Sequence, residues 1–215
     1  MTPDVLWADA PLVLIDFETS GLDPERDRFV EVGFAFCRDR QLVGSVGWVV
    51  RREGLVIPEA VRQVHGITDE EIAAGVTPVD TLVWIIQHLD GHIPASYGVP
   101  FDRSFLVAEA LRVFPALASA YTPPAFMSPA VPWIDPLVWA RELQRYERGK
   151  KLAEVCSRLG ISLDHGHRAQ HDAVAAAQVL LRFADQLPPR YGDLCGAQEE
   201  LRIKHEQERN ARHTR

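Results

Sequence analysis

The stretch Pro11-Leu-Val-Leu-Ile-Asp-Phe-Glu18 constrains the fold more than any other part of the chain. An apolar run that ends acid, aromatic, acid reads as a buried β-strand whose last residues leave the core. The two-residue period of a strand puts Asp16 and Glu18 on one face and Phe17 on the other. Two like charges side by side repel, and desolvating them is costly. A hard divalent cation such as Mg2+ or Mn2+ resolves that conflict, because it prefers carboxylate oxygens. A solvated pair of strand-end acids has the same spacing, so further residues have to decide.

The rest of the chain supplies the layers. Phe29–Cys37 and Gln41–Val50 are rich in β-branched and aromatic residues, and the short polar gap Arg38-Asp-Arg40 makes them a hairpin. Beyond Pro58 the texture turns helical. Thr68-Asp-Glu-Glu71 is a capping box, and Thr77 or Pro78 opens a helix through Leu89. Ile93–Tyr97 is a short strand, followed by a helix from about Asp102 to Phe114. Helices are predicted over Ile134–Tyr146, Lys151–Leu159 and Arg168–Leu187. A meander followed by strands alternating with helices predicts an α/β fold with a mixed sheet, a three-strand antiparallel meander plus parallel strands, flanked by helices. The uncharged stretch from Val113 to Ile134 holds five prolines, which suits a surface loop and no spanning helix.

Composition narrows the function classes. With 215 residues, 47% hydrophobic and 25% charged, the chain resembles an ordinary soluble domain, and a cytoplasmic location with no membrane partner is expected. Three scattered cysteines, Cys37, Cys156 and Cys195, form no CxxC pair and suit a reducing compartment. A net charge of −7 disfavours a protein that coats nucleic acid with a basic surface. The densest basic patch is Arg145-Tyr-Glu-Arg-Gly-Lys-Lys151, equally readable as a solvated helix end.

Two more acids join the first pair. Asp102 follows a strand and opens a helix, where an N-cap role would also suit it. Asp172 lies one turn into the Ala-rich last helix, with His167 just before it in a loop loosened by Gly166. The H-x4-D spacing suits a mobile base beside a metal held by a rigid helical ligand.

Asp16-Phe-Glu18-Thr-Ser-Gly-Leu-Asp-Pro24, Val64-His-Gly-Ile-Thr-Asp69, Pro100-Phe-Asp-Arg-Ser-Phe-Leu106 and His167-Arg-Ala-Gln-His-Asp-Ala173 occur in that order. Together they resemble the DEDDh 3′–5′ exonuclease superfamily, of the type of the proofreading epsilon subunit of DNA polymerase III, whose RNase H-like fold implies that the mixed sheet has five strands. The tyrosine branch would need Tyr four residues before the last Asp, where this chain has Arg168; His167, five before, fits the histidine branch. The resemblance implies that Asp16, Glu18, Asp102 and Asp172 hold two Mg2+ or Mn2+ ions and that His167 is the general base. It implies hydrolysis of phosphodiesters from the 3′ end with release of nucleoside 5′-monophosphates. It further assigns Thr19, Ser20, Gly21 and Leu22, with His65 and Phe101, to the substrate. Single-stranded DNA is favoured over RNA, with an exoribonuclease of the same superfamily as the alternative. Residues 1–190 would form the exonuclease domain and 191–215 a charged helical appendage. Two positions depart from the pattern. Gly98 stands where many members carry Asn, which predicts altered loop packing, and Ser20 replaces a more usual Thr.

Other readings compete. His165, His167 and His171 with Asp172 could be drawn as a zinc cluster, His167 and His171 sharing a helix face, but that leaves Asp16 and Glu18 unexplained. A non-catalytic nucleic-acid or replication-complex binding module would keep the fold and lose the acids, all of which are present. Gln198-Glu-Glu-Leu-Arg-Ile203 resembles peptides that hold a sliding clamp, so a polymerase or a clamp is a candidate partner. An amphipathic helix gives the same spacing.

Overall fold

The computed structural model describes residues 2–115, 124, 127–128, 130–163 and 167–213. Half of the stretch 113–134, read as a proline-rich loop, falls outside them, as do His165 and Gly166.

Three strands form the meander: β1 (Leu12–Thr19), β2 (Phe29–Arg38) and β3 (Gln41–Val49). Asp39 and Arg40 close the β2–β3 hairpin with positive φ of 50° and 62°, the handedness that matches strand twist in a two-residue loop. β4 (Ile93–Ala95) adds to the other side of β1 in parallel, giving the order β3-β2-β1-β4. Among the described residues the sheet therefore has four strands, and the five-stranded expectation is corrected. A fifth strand stops at one residue: Ile134 forms a single parallel bridge to Ala95. The next residue, Asp135, accepts from the Leu137 N–H at 2.9 Å and caps a helix.

Helices cover both faces. Between β3 and β4 come α1 (Glu59–His65), α2 (Asp69–Ala74) and α3 (Pro78–Leu89). The Thr68 capping box and the Pro78 start are as the sequence predicts. α4 (Val99–Val113) follows β4, then α5 (Pro136–Leu143), α6 (Leu152–Leu159), α7 (Ala169–Phe183), a 3-10 turn (Ala184–Gln186) and α8 (Tyr191–His213). α4 starts three residues earlier than expected because Gly98, at φ 100°, turns the chain directly into Pro100 at the first helical turn.

Alternation along β1 and β2 divides the core. Val13, Ile15, Phe17, Val32 and Phe34 pack with Leu82 and Ile85 of α3 and Phe105 and Leu106 of α4. Leu12, Leu14, Ala35 and Cys37 pack on the other face against α5, α6 and α7. That second face extends to both chain ends. Trp7 is fully buried, its indole N–H donates to Pro188 O at 2.8 Å, and Tyr191 and Leu194 of α8 lie in the same cluster. Gln198, in the clamp-like segment, donates to Trp133 O at 2.8 Å and accepts from the Asp135 N–H at 2.7 Å, so its amide is committed inside the chain.

Candidate active site

The period of β1 does what its sequence implies. Asp16 and Glu18 continue the Leu12, Leu14 face, the face on which α7 packs. The approach of α7 depends on β2 and β3 having no side chains beneath its first turn. A Cβ at Gly33 would lie 2.1 Å from Ala169 C and Gln170 N, and one at Gly47 would lie 2.8 Å from Gln170 Cβ. With that space free, Asp172 reaches Glu18. Ligand atoms of Glu18, His167 and Asp172 lie within 4.8 Å of one another.

Asp102 arrives from the opposite side by a different device. β4 covers β1 only as far as Leu14, so the Phe17 N–H is left free at the strand edge, and Asp102 accepts from it. The buried Ser96 hydroxyl donates to the same carboxylate. Asp102 is 3% exposed and sits inside the first turn of α4, so the N-cap alternative is overturned; Gly98 occupies the cap.

His167 precedes α7 with φ 68°, a left-handed conformation uncommon for a non-glycine residue. Its N–H donates to Asp172 Oδ2 at 3.1 Å while its side chain remains exposed. His167 lies outside the helix, so it does not share a helical face with His171.

Electrostatics show what the cluster lacks. Asp16 is pushed well above the usual carboxylate range, by burial first and then by the charges of Asp102, Asp172 and Glu18. Burial, followed by Asp172 and Glu31, lifts Glu18 to about 8, against a small opposing effect of Arg168. Burial takes Asp102 to about 7 despite the Ser96 and Phe17 hydrogen bonds. Asp172 is raised too, chiefly by burial. Asp172 Oδ1 is buried with no partner. Four crowded carboxylates and an orphaned oxygen form a donor set that fits hard divalent cations.

Other expected positions separate into two groups. Leu22 is 83% exposed beside the acids, and Phe101 is partly exposed on α4. Thr19 and Ser20 are buried at the turn, where the Thr19 hydroxyl donates to Gly21 O at 2.6 Å. A side chain at Gly21 would collide with Asp27, whose carboxylate accepts from the Asp23 N–H at 2.9 Å. His65 differs. It is buried, its Nδ1 accepts from the Ile67 N–H at 3.0 Å, and its Nε2 has no partner, so it supports the α1–α2 turn from within.

None of the four motifs points to Glu31, and none gives Arg168 a role. Glu31 stands opposite Glu18 in the β1–β2 register and is 4% exposed. Its carboxylate accepts from Arg168 Nε at 2.9 Å and from the Ala169 N–H at 3.0 Å, at the N-terminus of α7, and Arg168 also reaches Glu71 of α2 at 3.4 Å. Arg168 lies between His167 and α7, so this clamp fixes where the histidine stands. The available signal was an acid inside an otherwise apolar strand.

The end of β1 carries Asp16 and Glu18, and Asp102 from α4 and His167 and Asp172 at α7 meet them there. The chain belongs to the exonuclease family, which it matches over residues 13–180. It is 29% identical over 189 residues to a DNA polymerase III PolC-type protein of Thermotoga maritima, covering 87% of this chain and 13% of that one. It is 23% identical over 168 residues to the 3′-5′ exonuclease DinG of Staphylococcus saprophyticus, covering 78% and 17% respectively. The chain thus spans less than a fifth of the length of these relatives. Among solved structures, a zinc-bound complex of E. coli exonuclease I with single-stranded DNA superposes with a TM-score of 0.70 at 17% identity, covering 82% of this chain and 41% of that one. That likeness is one of fold.

Proposed function

We propose that this chain is a divalent-metal-dependent 3′–5′ exonuclease that removes nucleoside 5′-monophosphates from single-stranded DNA. The observation that carries the reading is the convergence of Asp16, Glu18, Asp102 and Asp172, all held above their usual range, around the unpartnered Asp172 Oδ1. These four residues would hold Mg2+ or Mn2+, which when bound supplies water activation and charge stabilisation at the phosphate. His167 takes the proton of the attacking water, and its exposed ring has room to reach it. The loop from Thr19 to Leu22 receives the terminal nucleotide, with Leu22 offering an apolar surface to the base. Phe101 flanks the same opening. The polymerase and exonuclease I likenesses support DNA over RNA and a DNA polymerase as partner.

The test is digestion of matched 3′-labelled DNA and RNA oligonucleotides by the purified protein with Mn2+. Faster release of 5′-monophosphates from DNA is expected, and failure to degrade either polymer overturns the proposal. Faster loss of the RNA would reassign the substrate. Asp16→Asn and His167→Ala should each lower kcat by about 10^3-fold or more, since each removes a group acting on the reacting phosphate or water.

A further inference from the structure

Among the described residues there is a second concentration of charge, opposite in sign to the first. A cavity of about 540 Å3 beyond the end of β3 is lined by Arg26, Arg28, Arg51 and Arg52, with Glu53 and the start of α3 at Thr77. Arg52 is committed to the fold: it donates to Phe29 O at 2.8 and 3.0 Å and pairs with the buried Glu109. The other three are not. The Arg28 guanidinium donates to the carbonyls of Arg26 and Asp27, at 2.9 and 2.8 Å, and enters no ion pair among the described residues. Arg26 has one loose contact with Asp23 at 3.5 Å and a side chain 88% in water. Arg51 enters no ion pair among the described residues. The crowding acts on Arg52, whose guanidinium is lowered by burial, supported by Glu109, and lowered again by Arg28 and Arg112. Gathering four like charges around one cavity opposes folding, and here it happens in a chain of net −7.

We propose that this pocket binds backbone phosphates of the nucleic-acid strand whose 3′ end lies at the carboxylates, an inference that rests on the exonuclease function proposed above. The loop between β1 and β2 joins the two places. Its first residues flank Glu18, and its last carry Arg26 and Arg28. The Ser20 N–H donates to Arg28 O at 2.8 Å, and Thr19 pairs with Phe29, the residue that anchors Arg52. A strand leaving the acids over this loop meets Arg26 and Arg28 first and Arg51 beyond. Guanidinium forks match phosphate oxygens in pairs, and the partial positive charge at the start of α3 adds to them, although Asp80 already occupies part of that helix end. Asp23 beside Arg26, Glu109 on Arg52, Glu53 and Asp80 are the acids nearby, and Arg28 and Arg51 enter no ion pair among the described residues.

The test compares DNA of about three and about 15 nucleotides as substrates across a salt series, because the trimer has one internucleotide phosphate beyond the scissile one and the longer strand has many. In Arg26→Ala/Arg51→Ala, both residues exposed, KM for the longer DNA should rise about tenfold, and at least fivefold more than for the trimer. The slope of log affinity against log salt should flatten by about 0.7 for each phosphate that the variant no longer neutralises. Arg38→Ala/Arg182→Ala removes the same charge from the other end of the sheet and should behave as wild type. Equal losses on both lengths, or equal losses in the control pair, overturn the pocket. If wild type hydrolyses neither strand, the exonuclease proposal fails. Fluorescence anisotropy of the labelled longer strand then still decides the pocket: unchanged affinity and salt slope in the double variant overturn it.

Discussion

At the residue scale, the four acids trade stability for chemistry. Their folded values lie above those of an unfolded chain, with Asp102 at about 7 and Glu18 at about 8. A carboxyl raised in this way contributes stability that is fully present below its unfolded value and is lost as pH rises through its folded value. The metal-free protein should therefore become less stable between about pH 4 and pH 8. Cation binding needs deprotonated ligands and relieves the same repulsion, so its stabilising effect grows over that window. The rise in Tm on adding Mn2+ should be larger at pH 8 than at pH 5.5, and a thermal melt at each pH checks it. Asp16→Asn, expected to be inactive, should melt higher than wild type in EDTA at pH 8 and show little difference at pH 5. Glu31 belongs to the same scale. Glu31→Gln and Arg168→Ala should each lower kcat about 10- to 100-fold with KM nearly unchanged, because they loosen the support of His167 and not the substrate's own contacts. Arg168→Lys, which keeps the charge but not the fork, should recover only part of that loss.

At the element scale, the site is legible wherever a local signal coincides with a chemical one. The β1 run, the Thr68 capping box and the Pro78 helix start stand where the sequence predicts them, since alternation and capping act over a few residues. The start of α4 departs from expectation because Asp102 looks like an N-cap, whereas Gly98 provides the turn and frees Asp102 to face β1. The segment at Ile134 reads as helix because its apolar spacing suits both states, and the single bridge to Ala95 is a long-range event. Gly33 is the element-scale lesson: a glycine within a strand signals a close approach, here that of α7. Gly33→Ala should destabilise the protein by about 1–3 kcal/mol by overpacking and reduce activity more than stability, because the displaced helix carries Asp172 and follows His167. Urea denaturation read beside initial rates separates the two effects.

At the scale of the whole molecule, the segment at Val5–Trp7 folds against the start of α8. The Tyr191 N–H donates to Val5 O at 2.9 Å, the Trp7 N–H to Pro189 O at 3.2 Å, and Leu194 is fully buried. We propose that the appended part of α8 begins beyond these first turns. Ending the chain after residue 190 should lower stability by about 2–4 kcal/mol through loss of the buried Tyr191 and Leu194, while ending it after 205 should cost under about 1 kcal/mol, as thermal melts would show. No helix among the described residues is long and apolar enough to cross a membrane. The sequence by itself determined the meander, the order of the four motifs and the identity of the acids, because strand period, caps and charge conflict are local properties. Only the tertiary structure decided that Glu31 and Arg168 brace the histidine, that β4 is short enough to leave the Phe17 N–H to Asp102, and that four arginines from two loops line one pocket. Those are contacts between residues far apart in the chain, set by how two helices and a loop meet at one end of a sheet, and no local pattern encodes them.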